Sequence, residues 1–91
     1  MIVESFSNYL KENPQIKIEI HGHTDNAGAA ATNLALSTDR AFTVYDVLQQ
    51  NGIPKERMSY KGFGGSKPIA NNATEAGKAQ NRRTEFVVLA N

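Results

Sequence analysis

The stretch Ile16-Lys17-Ile18-Glu19-Ile20-His21-Gly22-His23-Thr24-Asp25 decides the fold. Its isoleucines alternate with Lys17, Glu19 and His21, and a period of 2 is the signature of a strand with one apolar and one polar face. The strand is expected to end at Gly22. The run His23-Thr24-Asp25-Asn26-Ala27-Gly28 is rich in turn formers, so a loop is predicted from His23 to about Thr32, carrying polar groups off the strand's C-terminal end. Binding residues concentrate on loops held by rigid elements in this way.

On the N-terminal side, Ile2, Phe6, Tyr9 and Leu10 fall at helical spacing and Asn13-Pro14 supplies the stop, which predicts a helix over Ile2 to Glu12. On the C-terminal side, Leu34, Ser37, Ala41, Val44 and Leu48 repeat at steps of three and four. That pattern predicts a long helix from Asn33, closed by Asn51-Gly52 and Pro54. Met58-Ser59-Tyr60-Lys61-Gly62 alternates weakly as a short strand, and Gly62, Gly64, Gly65, Ser66 and Pro68 make a loop. Thr74-Glu75-Ala76 opens a short helix that Gly77 should limit. Arg83 to Leu89 ends on Phe86-Val87-Val88-Leu89, a β-rich run expected to be half or fully buried. The order helix, strand, helix, strand, strand gives an α+β or α/β sandwich with its helices on one sheet face. The two strands flanking the long helix should be parallel, joined by a right-handed crossover.

Ninety-one residues, 40% of them hydrophobic, close a single core, so residues 1–91 are expected to form one domain. Ten Lys and Arg against nine Asp and Glu leave a net charge of +1, and no basic run exceeds Arg82-Arg83, which argues against nucleic acid as a partner. No apolar stretch approaches the roughly 20 residues that cross a bilayer, and Met1-Ile2-Val3-Glu4-Ser5 lacks the marks of a secretion signal. A soluble segment without direct membrane insertion is therefore expected. Zero cysteines exclude disulfides, thiolate zinc sites and cysteine nucleophiles.

Among polar residues, Asp25 leaves the first strand's end and Arg40 projects from the early part of the long helix. Held a few ångströms apart, a carboxylate and a guanidinium can grip a zwitterion, one taking the ammonium and the other the carboxylate. The same two types also form mutual salt bridges or loop caps, and residue types alone do not choose between these outcomes. Asn33 and Arg40 lie seven residues apart, about 20° short of two helical turns, so they share an edge on which Leu36 also lies. His21 and His23 face one side of the strand with Asp25 third in line. With no cysteine and no further histidine, a zinc shell would need carboxylates or a second molecule to finish it, so the histidines are assigned structural or loop-ordering roles and neither a metal nor a cofactor is expected. Gly62-Phe63-Gly64-Gly65-Ser66-Lys67 lacks the spacing of a phosphate loop, and neither Ser37 nor Ser66 belongs to a triad pattern. No enzymatic activity is expected. Arg82 reads as surface charge, and Arg83 is left open between solvent and the sheet's end.

Four ordered blocks then stand out together: Gly22-His23-Thr24-Asp25; Asn33-Leu34-Ala35-Leu36-Ser37 leading to Arg40-Ala41; Gly62-Phe63-Gly64 with Pro68; and Asn81-Arg82-Arg83-Thr84-Glu85. In these blocks and their spacing, residues 2–90 resemble the OmpA-like C-terminal domain, a family that includes the peptidoglycan-associated lipoprotein and the flagellar stator anchor. The resemblance implies an α+β two-layer sandwich with a mixed parallel and antiparallel sheet and helices on one face. It also implies non-covalent binding of peptidoglycan in the bacterial periplasm through the diaminopimelate of the stem peptide, anchoring an outer-membrane or envelope protein to the cell wall. Carried over by motif, Asp25 would take the ammonium and Arg40 the carboxylate, with Asn33 adding a hydrogen bond. Leu36 would wall the pocket, and Thr24 and Arg83 would line or brace the site.

One departure accompanies the resemblance: family members usually place a further strand ahead of the first helix, and this chain begins inside that helix. A neighbouring strand is then expected to expose unpaired backbone groups, leaving the chain marginal alone or covered by another chain along the open edge. The rival expectation is accordingly a protein-interaction or homo-oligomerisation module that keeps the fold and has lost its ligand.

Overall fold

The computed structural model describes residues 2–90. The chain runs through α1 (Ile2–Glu12), β1 (Lys17–His23), α2 (Ala30–Gln50), a 3₁₀ turn (Lys55–Arg57), β2 (Met58–Gly62), α3 (Glu75–Asn81) and β3 (Arg83–Ala90). The three strands form one sheet in the order β2-β1-β3, so the alternating isoleucine strand is central. β1 pairs with β2 in parallel, Ile18 facing Met58 and Gly22 facing Gly62, and with β3 in antiparallel, Ile20 facing Phe86 and His21 facing Glu85. A register shift between Lys17 and Ile18 leaves Leu89 of β3 as the extra residue of a bulge. The architecture is the expected α+β mixed sheet.

Period 2 on β1 dictates where the core lies. Ile16, Ile18 and Ile20 are buried with Leu10, Ala41, Leu48, Ile53 and Met58, and Phe6, Val44 and Tyr45 pack against that cluster. The alternate residues Glu19, His21 and His23 turn to the opposite sheet face, where Glu85 of β3 and Ser59 of β2 meet them. Arg57 locks the α1–β1 corner by donating to three backbone carbonyls, Nε to Ile16 at 3.0 Å and Nη2 to Leu10 and Asn13 at 2.8 Å each.

α2 crosses the end of the parallel pair very closely. Gly22 of β1 and Gly62 of β2 face each other beneath it, and a Cβ on Gly22 would fall on the Ser37 carbonyl oxygen. Ser37 completes the clasp: its buried hydroxyl accepts the Gly64 N–H at 2.8 Å and donates to the Leu34 carbonyl at 2.9 Å. Backbone pairing then continues past the strand ends, Phe63 N–H to the Gly22 carbonyl at 3.0 Å and Thr24 N–H to the Gly64 carbonyl at 2.9 Å. The loops after β1 and β2 are thereby tied together beside the start of α2.

Four sequence expectations are corrected. α2 starts at Ala30 and not at Asn33, because the Asn33 N–H already makes a helical bond to the Ala29 carbonyl at 3.0 Å. Gly77 does not limit α3; it sits inside that helix, where a Cβ would meet the Asn71 carbonyl, and Thr74 caps the N-terminus by accepting the Gly77 N–H at 3.0 Å. Leu34, placed on the apolar stripe of α2, is half exposed. β3 is not buried: as an edge strand it leaves Phe86, Val87, Val88 and Leu89 between 37% and 57% exposed, with Phe86 resting on the Phe6 ring at a centroid distance of 4.3 Å.

Candidate functional site

The loop after β1 holds Asp25 in a fixed pose. One carboxylate oxygen, Oδ1, accepts the Ala27 N–H at 3.0 Å in an Asx turn, and Oδ2 accepts from Arg82 Nη1 at 2.6 Å. The Ala27 N–H first, and the Arg82 guanidinium second, hold the Asp25 carboxyl below the usual carboxylate range. Thr24, buried beside it, donates its hydroxyl to the Asp25 carbonyl at 2.8 Å. Asn33 reaches back from α2 and donates its amide to the Ala27 carbonyl at 2.9 Å, so both ends of the turn are fastened. Arg40, half-buried on α2, donates Nη1 to the His23 carbonyl at 3.0 Å, which is its only side-chain hydrogen bond among the described residues. Asp25 and Arg40 are thus fixed to the same strand end without being bonded to each other.

The carboxylate's salt-bridge partner is Arg82. Sequence reasoning assigned that residue to the surface, but its turn position between α3 and β3 carries the side chain across to the β1 loop, 57 residues away in the chain. The neighbouring Arg83 braces the structure: Nε donates to Glu85 Oε2 at 2.9 Å, Nη1 to the Asn81 carbonyl at 3.2 Å and Nη2 to the Lys67 carbonyl at 2.9 Å. Leu36 is 53% exposed. An open groove of about 430 Å³ runs between Asn26, Gly28 and Asn33 on one side and Phe63 to Ser66 on the other, beside the loop that carries Asp25 but lined by neither Asp25 nor Arg40. Its apolar wall from α2 is Leu34, with Leu36 absent from the lining. The half-exposed Leu34, unexplained by the core, acquires a place here.

His23 lies behind this loop with 1% exposure, stacked on the Phe63 ring at 5.3 Å, its Nε2 3.0 Å from Glu85 Oε1. Burial pushes its pKa down, so the ring is neutral near pH 7. Asp25, the third member of the metal set considered from sequence, stands apart from the two histidines; Glu85 of β3 takes its place beside them.

A family model supplies the deciding comparison: the OmpA family model matches residues 1–82. This chain belongs to the OmpA family. It is 42% identical over 88 residues to outer membrane porin F of Pseudomonas fluorescens, covering 97% of this chain and 27% of that protein. It is 40% identical over 87 residues to the peptidoglycan-binding protein ArfA of Mycobacterium bovis, covering 96% of this chain and 27% of ArfA. The chain therefore spans about a quarter of the length of these relatives. Among solved structures, the peptidoglycan-associated lipoprotein of Burkholderia pseudomallei superposes with a TM-score of 0.90 at 38% identity, covering 94% of this chain and 73% of that one. No helix among the described residues is long and apolar enough to cross a membrane.

Proposed function

We propose that this OmpA-family domain binds peptidoglycan without covalent chemistry, in the bacterial periplasm, and anchors an outer-membrane or envelope protein to the cell wall. The ligand group is the diaminopimelate of the stem peptide: Asp25 receives its free ammonium and Arg40 its carboxylate. Asn33 and Thr24 hold the turn that aims Asp25, and Arg83 braces the α3–β3 corner from which Arg82 reaches the carboxylate. The observation that carries this reading is the separation of the pair. Asp25 and Arg40 are anchored to one strand end but not to each other, and Arg40 spends one nitrogen on the His23 carbonyl while the rest of its fork has no partner among the described residues. A planar fork with free donors suits a carboxylate, which accepts two parallel bonds. The groove that opens at Asn26 and Asn33 offers the less polar part of the stem peptide a surface on Leu34 and Phe63. Leu36, exposed and outside that lining, serves the ligand only at the rim. Nothing is turned over: the function is retention, and repeated ligands on a wall polymer raise the effective concentration enough for a modest site to hold.

Co-sedimentation with purified sacculi tests the assignment. Asp25→Ala and Arg40→Ala should each weaken pelleting by between roughly tenfold and a hundredfold, as expected for the loss of a charge-assisted bond. If both variants pellet as well as the parent chain, the assignment is wrong.

The exposed edge supports a second reading alongside the first, self-association through β3. Its outer side has no strand partner among the described residues, and Phe86, Val87, Val88 and Leu89 along it are 37% to 57% exposed, alternating between the two sheet faces. A second copy pairing along this edge would satisfy the backbone and extend both faces over these side chains. Sedimentation velocity of the 91-residue chain should show mass rising with concentration, and Val88→Lys should return it to a monomer. A parent chain that stays monomeric throughout the series removes this reading.

A further inference from the structure

Composition left a pair of histidines short of zinc ligands, and sheet pairing supplies what the local sequence could not. His21 and His23 project from the same face of β1, and the antiparallel register sets Glu85 of β3 directly opposite His21. One donor atom from each of His21, His23 and Glu85 lies within 4.8 Å of the other two. The geometry points to a zinc-class metal site on this sheet face beneath the Phe63 ring, which packs on His21 at 4.7 Å and on His23 at 5.3 Å, formed by side chains other than the Asp25–Arg40 pair. Two imidazoles and a carboxylate form a three-ligand set with a fourth position for water, a donor chemistry suited to zinc.

Two features favour a cation there. Glu85 divides its oxygens, Oε2 accepting from Arg83 Nε at 2.9 Å while Oε1 faces His23 Nε2 at 3.0 Å, so one oxygen is oriented from behind and the other can turn to a metal. A second carboxylate, Glu19, already touches His21 Nε2 at 2.6 Å and stands ready as an outer partner. Tetrahedral zinc with bonds of about 2.0–2.2 Å needs donors about 3.4 Å apart, so the set must close slightly, which side-chain rotation on a rigid two-strand frame allows. Zinc then replaces the proton in the contact between His23 and Glu85. The opposing charges are Arg83, bonded to Glu85 Oε2 at 2.9 Å, and Lys61 and Lys67, whose ammonium groups stand 5.1 and 4.6 Å from the Phe63 ring centre; they lower the affinity and make the site moderate in strength.

The chain has two histidines, so its imidazole signals in NMR are two and assignable. Titrating the chelator-treated 91-residue chain with zinc chloride at neutral pH should shift both signals together and saturate at one zinc per chain. Glu85→Gln should weaken zinc binding at least about tenfold, with far-UV circular dichroism reporting that the variant is folded. Sacculus pelleting of the parent chain should be the same with and without zinc. Histidine signals that do not move with zinc, or that move equally in the folded Glu85→Gln variant, overturn the site.

Discussion

Gly22→Ala should cost about 3–5 kcal/mol, enough to leave much of the chain unfolded in water, because a domain of this size has roughly 5–15 kcal/mol in total. The added methyl would fall on the Ser37 carbonyl oxygen and within 3.2 Å of the Ala41 amide nitrogen, both backbone atoms of α2. A flexible side chain could swing aside; a helix backbone moves only as a unit. Lifting α2 would break the Ser37 hydroxyl's bond to the Gly64 N–H and pull Ala41 and Leu48 away from the sheet. Gly62→Ala should act in the same direction, since its Cβ would meet the Thr38 amide nitrogen as well as the Thr38 hydroxyl. Urea unfolding followed by circular dichroism measures both. A loss under about 1 kcal/mol for Gly22→Ala would show that α2 has slack over the strand ends, and would contradict the tight crossing from which the site is built.

The two glycines also show what kind of information the sequence held. Strand β1 was legible because alternation is a local signal, and α1 and β2 were bounded correctly by Pro14 and by Met58 to Gly62 for the same reason. The burial of β3 was not legible. Phe86-Val87-Val88-Leu89 has the composition of a buried strand, yet burial depends on which strand lies alongside, and β3 sits at an edge. The start of α2 was missed because Ala29 supplies no side-chain cap, while Asn33, a good capping type, spends its amide on the loop. In the site, the Asx turn at Asp25 could be anticipated from turn formers in sequence, but its salt bridge to Arg82 could not. That contact spans 57 residues, and the His23–Glu85 contact spans 62, so neither leaves a periodic trace. A useful signal existed in the register itself: once β1 and β3 are paired, His21 must face Glu85 and His23 must face Arg83. Predicting Arg82 as a partner for Asp25 would have required the pairing first and the motif second.

Asn81→Ala should destabilise the domain by about 2–4 kcal/mol, more than its single amide suggests. The side chain has 0% exposure and every one of its hydrogen-bonding positions is used. Its Oδ1 accepts the N–H groups of Ile69 and Ala70 at 2.7 and 3.0 Å, and its Nδ2 donates to the Ala70 carbonyl at 3.0 Å and to Asn72 Oδ1 at 2.7 Å. One residue thus folds the 69–72 segment onto the end of α3, and alanine would orphan two donors and two acceptors while leaving a void. Asn81→Asp separates the two causes. It keeps the volume and the two accepted bonds, but turns the donor nitrogen into an oxygen facing two other acceptors. If polar pairing governs, the aspartate variant should be at least as unstable as alanine, and if filling the void governs, it should be close to the parent. Denaturant midpoints of the three chains decide it. The consequence reaches the binding loop, because Arg82 follows Asn81 directly and carries the guanidinium that holds Asp25. A chain that stays folded but has lost the Asn81 clasp should therefore also pellet less with sacculi. A fold defect confined to residues 69–72 would leave pelleting intact, and would show that Arg82 finds Asp25 without the clasp.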